Sequence, residues 1–245
     1  RPGIEQQFVQ QGTSYGTQPF DANGNLLTYE LESDGIAEIN AINDEAIQTY
    51  TSSEIVIPDN LSITSWIVSD HGDHVLLKMN DDSFVVLDRG NQHIQSWVEG
   101  YSEDIAYAIS PDGKLAVSTH PTRGLILWDT STAEIVMELI DQPVLDDIAE
   151  IEDPSSPIAD TIKDLLAKYA FGAAFLPDGR HLLTGGRGET FFSPDATELR
   201  LWDIETGEVV QRFSFVGSAS YIVDVSSDGG TAIAGHDSGL VTIWD

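Results

Sequence analysis

The sequence has no cysteine. That excludes a disulfide framework, a thiolate metal site and a thiol nucleophile. Basic residues are scarce: Lys plus Arg is 11 against 41 Asp plus Glu in 245 residues, a formal net charge of −30. A surface this negative repels phosphate backbones and anionic lipid, which excludes direct nucleic-acid binding and docking through basic patches. No apolar run reaches the roughly 18 residues that a bilayer span needs. Only Lys78, Lys114, Lys163 and Lys168 supply lysine. An acidic, lysine-poor surface fits a saline setting, where counterions screen self-repulsion, or the solubilised exterior of a secreted protein. The expected location is extracytoplasmic (periplasmic or secreted) or a high-salt cytoplasm. The chain opens on Arg1 rather than Met, which a removed leader or a trimmed chain would explain equally. The hydrophobic fraction of 41% is ordinary for a globular protein and too high for a disordered acidic tail.

What is present is a repeat. Leu125-Ile126-Leu127-Trp128-Asp129, Leu199-Arg200-Leu201-Trp202-Asp203 and Val241-Thr242-Ile243-Trp244-Asp245 end alike. Upstream stand Ser110-Pro111-Asp112-Gly113, Leu176-Pro177-Asp178-Gly179 and Ser226-Ser227-Asp228-Gly229. Two weaker copies run from Gly24 to Asn40 and from Gly72 to Asp88. The interval from turn Gly to terminal Asp or Asn is 16 residues in four units and 24 in the one from Gly179 to Asp203. Each unit reads as short alternating strands split by turns, such as Ile105–Ile109, Leu115–Ser118, the Trp-Asp strand and Glu134–Leu139. Four short strands recurring at about 40–45 residues describe a propeller blade, whose faces are buried only by its neighbours.

On these residues the chain resembles the WD40-repeat β-propellers. The resemblance covers roughly residues 12–140 and 170–245 and is strongest in the last three units. It assigns Trp128, Asp129, Trp202, Asp203, Trp244 and Asp245 to the structural repeat, and Asp237 to the family's hydrogen-bond network. The first two units carry Ile39 and Leu87 in place of Trp, and the family's Gly-His pair before each blade is missing. The expected fold is therefore all-β: one domain over 1–245, a propeller of four-stranded blades, about five in number, with one short inserted helix. The units fall at about 12–53, 60–99, 103–140, 170–216 and 218–245. The last lacks a fourth strand, and an extended piece over 4–11 (Glu5–Gln11) is placed to complete it. A closed five-blade ring and a portion of a longer ring both fit this spacing.

Two stretches break the repeat. Residues 141–169 open acidic at 146–153 and continue with a helical pattern: Ser156 as N-cap, Pro157 at the first position, and an apolar stripe of Ile158, Ile162, Leu165, Leu166 and Tyr169. The stripe packs on the propeller or meets a partner. The second stretch, 186–196, sets Arg187 beside Phe191 and Phe192 between Gly and Pro, residue types enriched at interface hot spots. The two Phe either anchor the loop or recognise a partner. Blade topology sends both interruptions to one face.

No enzyme motif is found. His71 and His74 with Asp70 and Asp73 occupy a turn, not a metal cage; Asp21–Asn25 lacks the bidentate Glu of a calcium loop; Gly185-Gly186-Arg187-Gly188 lacks the Lys-Ser/Thr of a phosphate loop. No catalytic residue, cofactor or metal is assigned. The expected function is a non-enzymatic protein–protein interaction or scaffold module, working through the face that carries 141–169 and 186–196. Its expected partner is a protein or peptide, alone or within a larger complex, without nucleic acid or membrane insertion. The rival readings are an enzyme or small-ligand-binding propeller using the central channel, and a structural accessory subunit of an extracytoplasmic complex.

Overall fold

The computed structural model describes residues 26–31, 37–42, 47–51, 61–69, 73–88, 93–98, 107–120, 124–140, 170–187, 196–216, 220–236 and 238–245. Every regular element among them is a strand. β1 (Leu26–Leu31), β2 (Ala37–Ile42) and β3 (Ile47–Thr51) form an antiparallel three-stranded sheet. Then come β4 (Ile63–Val68), β5 (His74–Met79), β6 (Phe84–Asp88) and β7 (His93–Val98) in one four-stranded sheet. β8 (Tyr107–Ile109), β9 (Leu115–His120), β10 (Gly124–Asp129) and β11 (Ile135–Leu139) form the next. β12 (Gly172–Phe175), β13 (His181–Arg187), β14 (Ala196–Asp203) and β15 (Glu208–Val216) form a third. β16 (Ser220–Val225), β17 (Ala232–His236) and β18 (Val241–Trp244) make a three-stranded sheet. Each sheet is an antiparallel meander in chain order.

Period-two alternation explains why the sheets stack. Ile126 and Trp128 lie on one face of β10, against Ile67, Leu76, Phe84 and Val86 of the β4–β7 sheet. Leu125 and Leu127 lie on the other, against Phe175, Leu182 and Trp202 of the β12–β15 sheet. Leu183 and Leu199 then face Val223 and Ala234 of the last sheet. A strand apolar on both faces must be covered on both, so the central sheets are held between neighbours. The first strands β4, β8, β12 and β16 approach one another in succession, as the inner strands of a propeller do.

The chain is thus an all-β, four-bladed β-propeller, its blades being β4–β7, β8–β11, β12–β15 and β16–β18. This corrects the expected five four-stranded blades with a helix. Four sheets, not five, stack as blades, and one of them has three strands because none follows β18 among the described residues. The weak first unit yields the separate β1–β3 sheet. No helix occurs among the described residues. The inserted helix placed in 141–169, with Ile158, Ile162, Leu165, Leu166 and Tyr169, and the strand placed in 4–11 lie outside them.

The repeated turns are built by their Asp and Gly. Gly113, Gly179 and Gly229 have φ of 72°, 67° and 71°, and each amide donates to a carbonyl three residues back, at Ser110, Leu176 and Ser226. A side chain at such a φ costs about 1–2 kcal/mol, so Gly is required there. The carboxylates of Asp112, Asp178 and Asp228 accept from the amides of Lys114, Arg180 and Gly230.

Candidate functional site

The Trp-Asp motif residues are structural. Trp128 and Trp202 are buried between blades. Asp203 accepts from Arg180 Nε and Nη2 at 3.1 and 2.7 Å and from the amide of Glu205 at 2.9 Å. The Arg180 guanidinium, followed by the Glu205 and Thr206 amides, holds the Asp203 carboxyl below the usual carboxylate range. Asp129 is lowered in the same way by the Ser131 hydroxyl and the amides of Ser131 and Thr132. Trp244 is partly buried with its ring centroid 6.1 Å from that of Phe213, and Asp245 is exposed. Asp237, Phe191 and Phe192 lie outside the described residues; Arg187 ends β13, and its side chain is likewise outside them.

The opposite end of the blades is where first strands begin and second strands end. In the β12–β15 blade, Gly172 pairs with Gly185, and the Phe171 amide donates to the Gly185 carbonyl at 2.8 Å. Residues 170–171, Arg187 and Ala196 therefore meet at this end, and they flank both interruptions of the repeat. Ser220 and His236 occupy the equivalent end of the last blade, paired across β16 and β17.

Three polar groups form a line there. Ser220 Oγ is 3.1 Å from His236 Nδ1, and His236 Nε2 is 2.8 Å from Thr242 Oγ1. Both ring nitrogens of His236 thus have a hydroxyl partner, one on each side of the ring. Ser220 is fully buried, His236 is buried and Thr242 is half-buried, so the line runs from the interior toward solvent. Gly185 of the neighbouring blade makes room for it: a Cβ there would stand 2.9 Å from Ser220 Cβ and 2.6 Å from Val223 Cγ1.

On the other face of the β12–β15 blade, Trp202 Nε1 donates to Thr184 Oγ1 at 2.9 Å, and Arg200, paired with Thr184, is buried. In the preceding blade the corresponding Trp128 Nε1 is buried with no acceptor among the described residues. Further along the inner strands, the hydroxyls of Ser65 on β4 and Tyr107 on β8 are in direct contact across two blades. Burial raises the Tyr107 phenol above its usual range, against the Ser65 hydroxyl, which lowers it.

Among the described residues no three His, Asp or Glu side chains are gathered to hold a metal, and no helix is long and apolar enough to cross a membrane. Sequence reasoning missed Thr184, Arg200, Ser220, His236 and Thr242. One signal was available: His120 and His236 each stand seven residues beyond their turn glycines, Gly113 and Gly229.

No family model and no curated protein matches the sequence. Among solved structures the chain is similar to one of Kuenenia stuttgartiensis hydrazine synthase, at 16% identity with a TM-score of 0.55. The match covers 94% of this chain but only 59% of that one. At that identity the likeness establishes the fold. It also overturns the expectation of a non-enzymatic interaction or scaffold module, and with it the assignment as no enzyme. That expectation rested on the fold, and the fold is shared with an enzyme chain.

Proposed function

We propose that this chain is a small-ligand-binding propeller of an enzyme, built on WD40-like repeats. The observation that carries the reading is the Ser220–His236–Thr242 line. Removing the Ser220 and His236 side chains from water is costly unless each is hydrogen-bonded, and an apolar blade junction would need neither of them. An imidazole fixed between two hydroxyls is oriented to hold a ligand or to relay a proton to one. Thr242, nearest to solvent, is the group a ligand meets first; buried Ser220 orients the ring from behind. A net charge of −30 favours neutral or cationic ligands over anionic ones and disfavours nucleic acid.

The fold likeness to an enzyme chain supports the class, and nothing of hydrazine chemistry is carried over with it. The Trp-Asp pairs and the Trp202–Thr184 hydrogen bond support the WD40-like assignment, although no Gly-His pair precedes a blade. The acidic, lysine-poor composition supports a saline or extracytoplasmic setting.

The test is a thermal-shift screen of neutral and cationic small molecules against the native chain and His236→Leu. Compounds that raise the native Tm and not that of the variant are expected. A screen in which every stabilising compound acts equally on both proteins, or none acts at all, overturns the reading.

A further inference from the structure

One position of the outer strand ties a blade to its follower at two seams. Ser96 on β7, Met137 on β11 and Gln211 on β15 are equivalent, paired with Val86, Leu127 and Leu201. Ser96 Oγ donates to the Thr130 carbonyl at 2.5 Å, in the turn that joins β10 to β11 of the following blade. Met137 meets the corresponding turn one blade on, with sulfur in place of the hydroxyl. A Cβ on Gly207, between β14 and β15, would stand 2.7 Å from Met137 Sδ, so the sulfur lies against the bare main chain of that turn. The apolar cluster that Met137 packs on includes Leu139, Trp202 and Ile204.

Met79 and Met137 carry the only sulfur atoms of the chain, and they differ in access. Met79 is fully buried, whereas Met137 is half-buried on an outer strand. We propose that Met137 is an oxidation-sensitive latch of the seam between the β8–β11 and β12–β15 blades. A hydroperoxide supplies the oxygen. The sulfur lone pair attacks the terminal peroxide oxygen, the O–O bond breaks, and the proton passes to the other oxygen, which leaves as water or an alcohol. Sulfur is oxidised and the peroxide is reduced. The product is a polar sulfoxide, whose oxygen needs a hydrogen-bond donor. The main chain of the facing turn has none to spare. The amides of Glu205, Thr206 and Gly207 donate to Asp203, and that of Glu208 donates to Thr206 Oγ1. The oxygen therefore takes up water at the edge of the apolar cluster, and the seam loosens.

Graded hydrogen peroxide on the folded full chain, read by peptide mass spectrometry and melting curves, tests this. Met137 is expected to gain oxygen at least about tenfold faster than Met79, because a buried sulfur reacts only after the structure opens. The oxidised chain is expected to melt several degrees lower, and methionine sulfoxide reductases to restore its Tm. Met137→Leu conserves apolar volume and is expected to keep its Tm under the same exposure. Equal oxidation of the two methionines overturns the proposal, as does a sulfoxide at Met137 with Tm unchanged. So does a fall in the Leu variant as large as in the native chain, which would place the damage elsewhere. Hydrogen exchange keeps the test open should that variant not fold. Oxidation of the native chain is expected to speed exchange at Gly207 and along β11 before that of Val75–Leu77 in β5. Uniform acceleration overturns the latch.

Discussion

Asp203 shows what the acidic residues of the repeat do. It is not chemically poised; it ties a turn to Arg180. Its folded pKa lies below its unfolded value, so its contribution is fully present above the unfolded pKa, about 3.9. That contribution is lost as pH falls through the lower folded pKa. Asp203→Asn is therefore expected to lower Tm at pH 7, and the gap from the native chain should close on acidification toward about pH 3. Melting curves across pH check this; a gap independent of pH would mean that the side chain acts by shape alone. Such residues were legible as turn formers because Gly and Asp recur at fixed offsets. Thr184 and Arg200 were not, because their role depends on which residue the register places opposite.

Between elements, fit is decided at the blade seams. Gly185 has no positive φ to justify it; it is small because Val223 and Ser220 come within 3 Å of where a Cβ would stand. Gly185→Ala is expected to cost roughly 1–3 kcal/mol by overpacking, read from urea denaturation, and to disturb the Ser220–His236 contact. Stability equal to that of the native chain would show that the seam yields freely. Strand positions were well marked in the sequence, since alternation and turn spacing are local signals. The three-stranded last blade and the separate β1–β3 sheet follow from which edges meet, a long-range property. The hydroxyl–imidazole line escaped for the same reason: Ser220, His236 and Thr242 belong to three strands and share no motif.

For the whole molecule, charge dominates. Forty-one acids against eleven bases leave strong self-repulsion in the compact state. Tm is expected to rise by several degrees between low and molar NaCl, as the Debye length shrinks from about 30 Å at 0.01 M to 3 Å at 1 M. A flat response in scanning calorimetry would count against a saline habitat.

One backbone detail recurs. The ladder between third and fourth strands slips at Val86/Leu87, Leu127/Trp128 and Leu201/Trp202. These are equivalent positions, yet one of them holds Leu where the others hold Trp. The kink does not require the Trp that stands there in the other two blades. The slip thus belongs to the main-chain geometry of the meander rather than to the Trp side chain, and other blades of this kind are best recognised by superposing such slips.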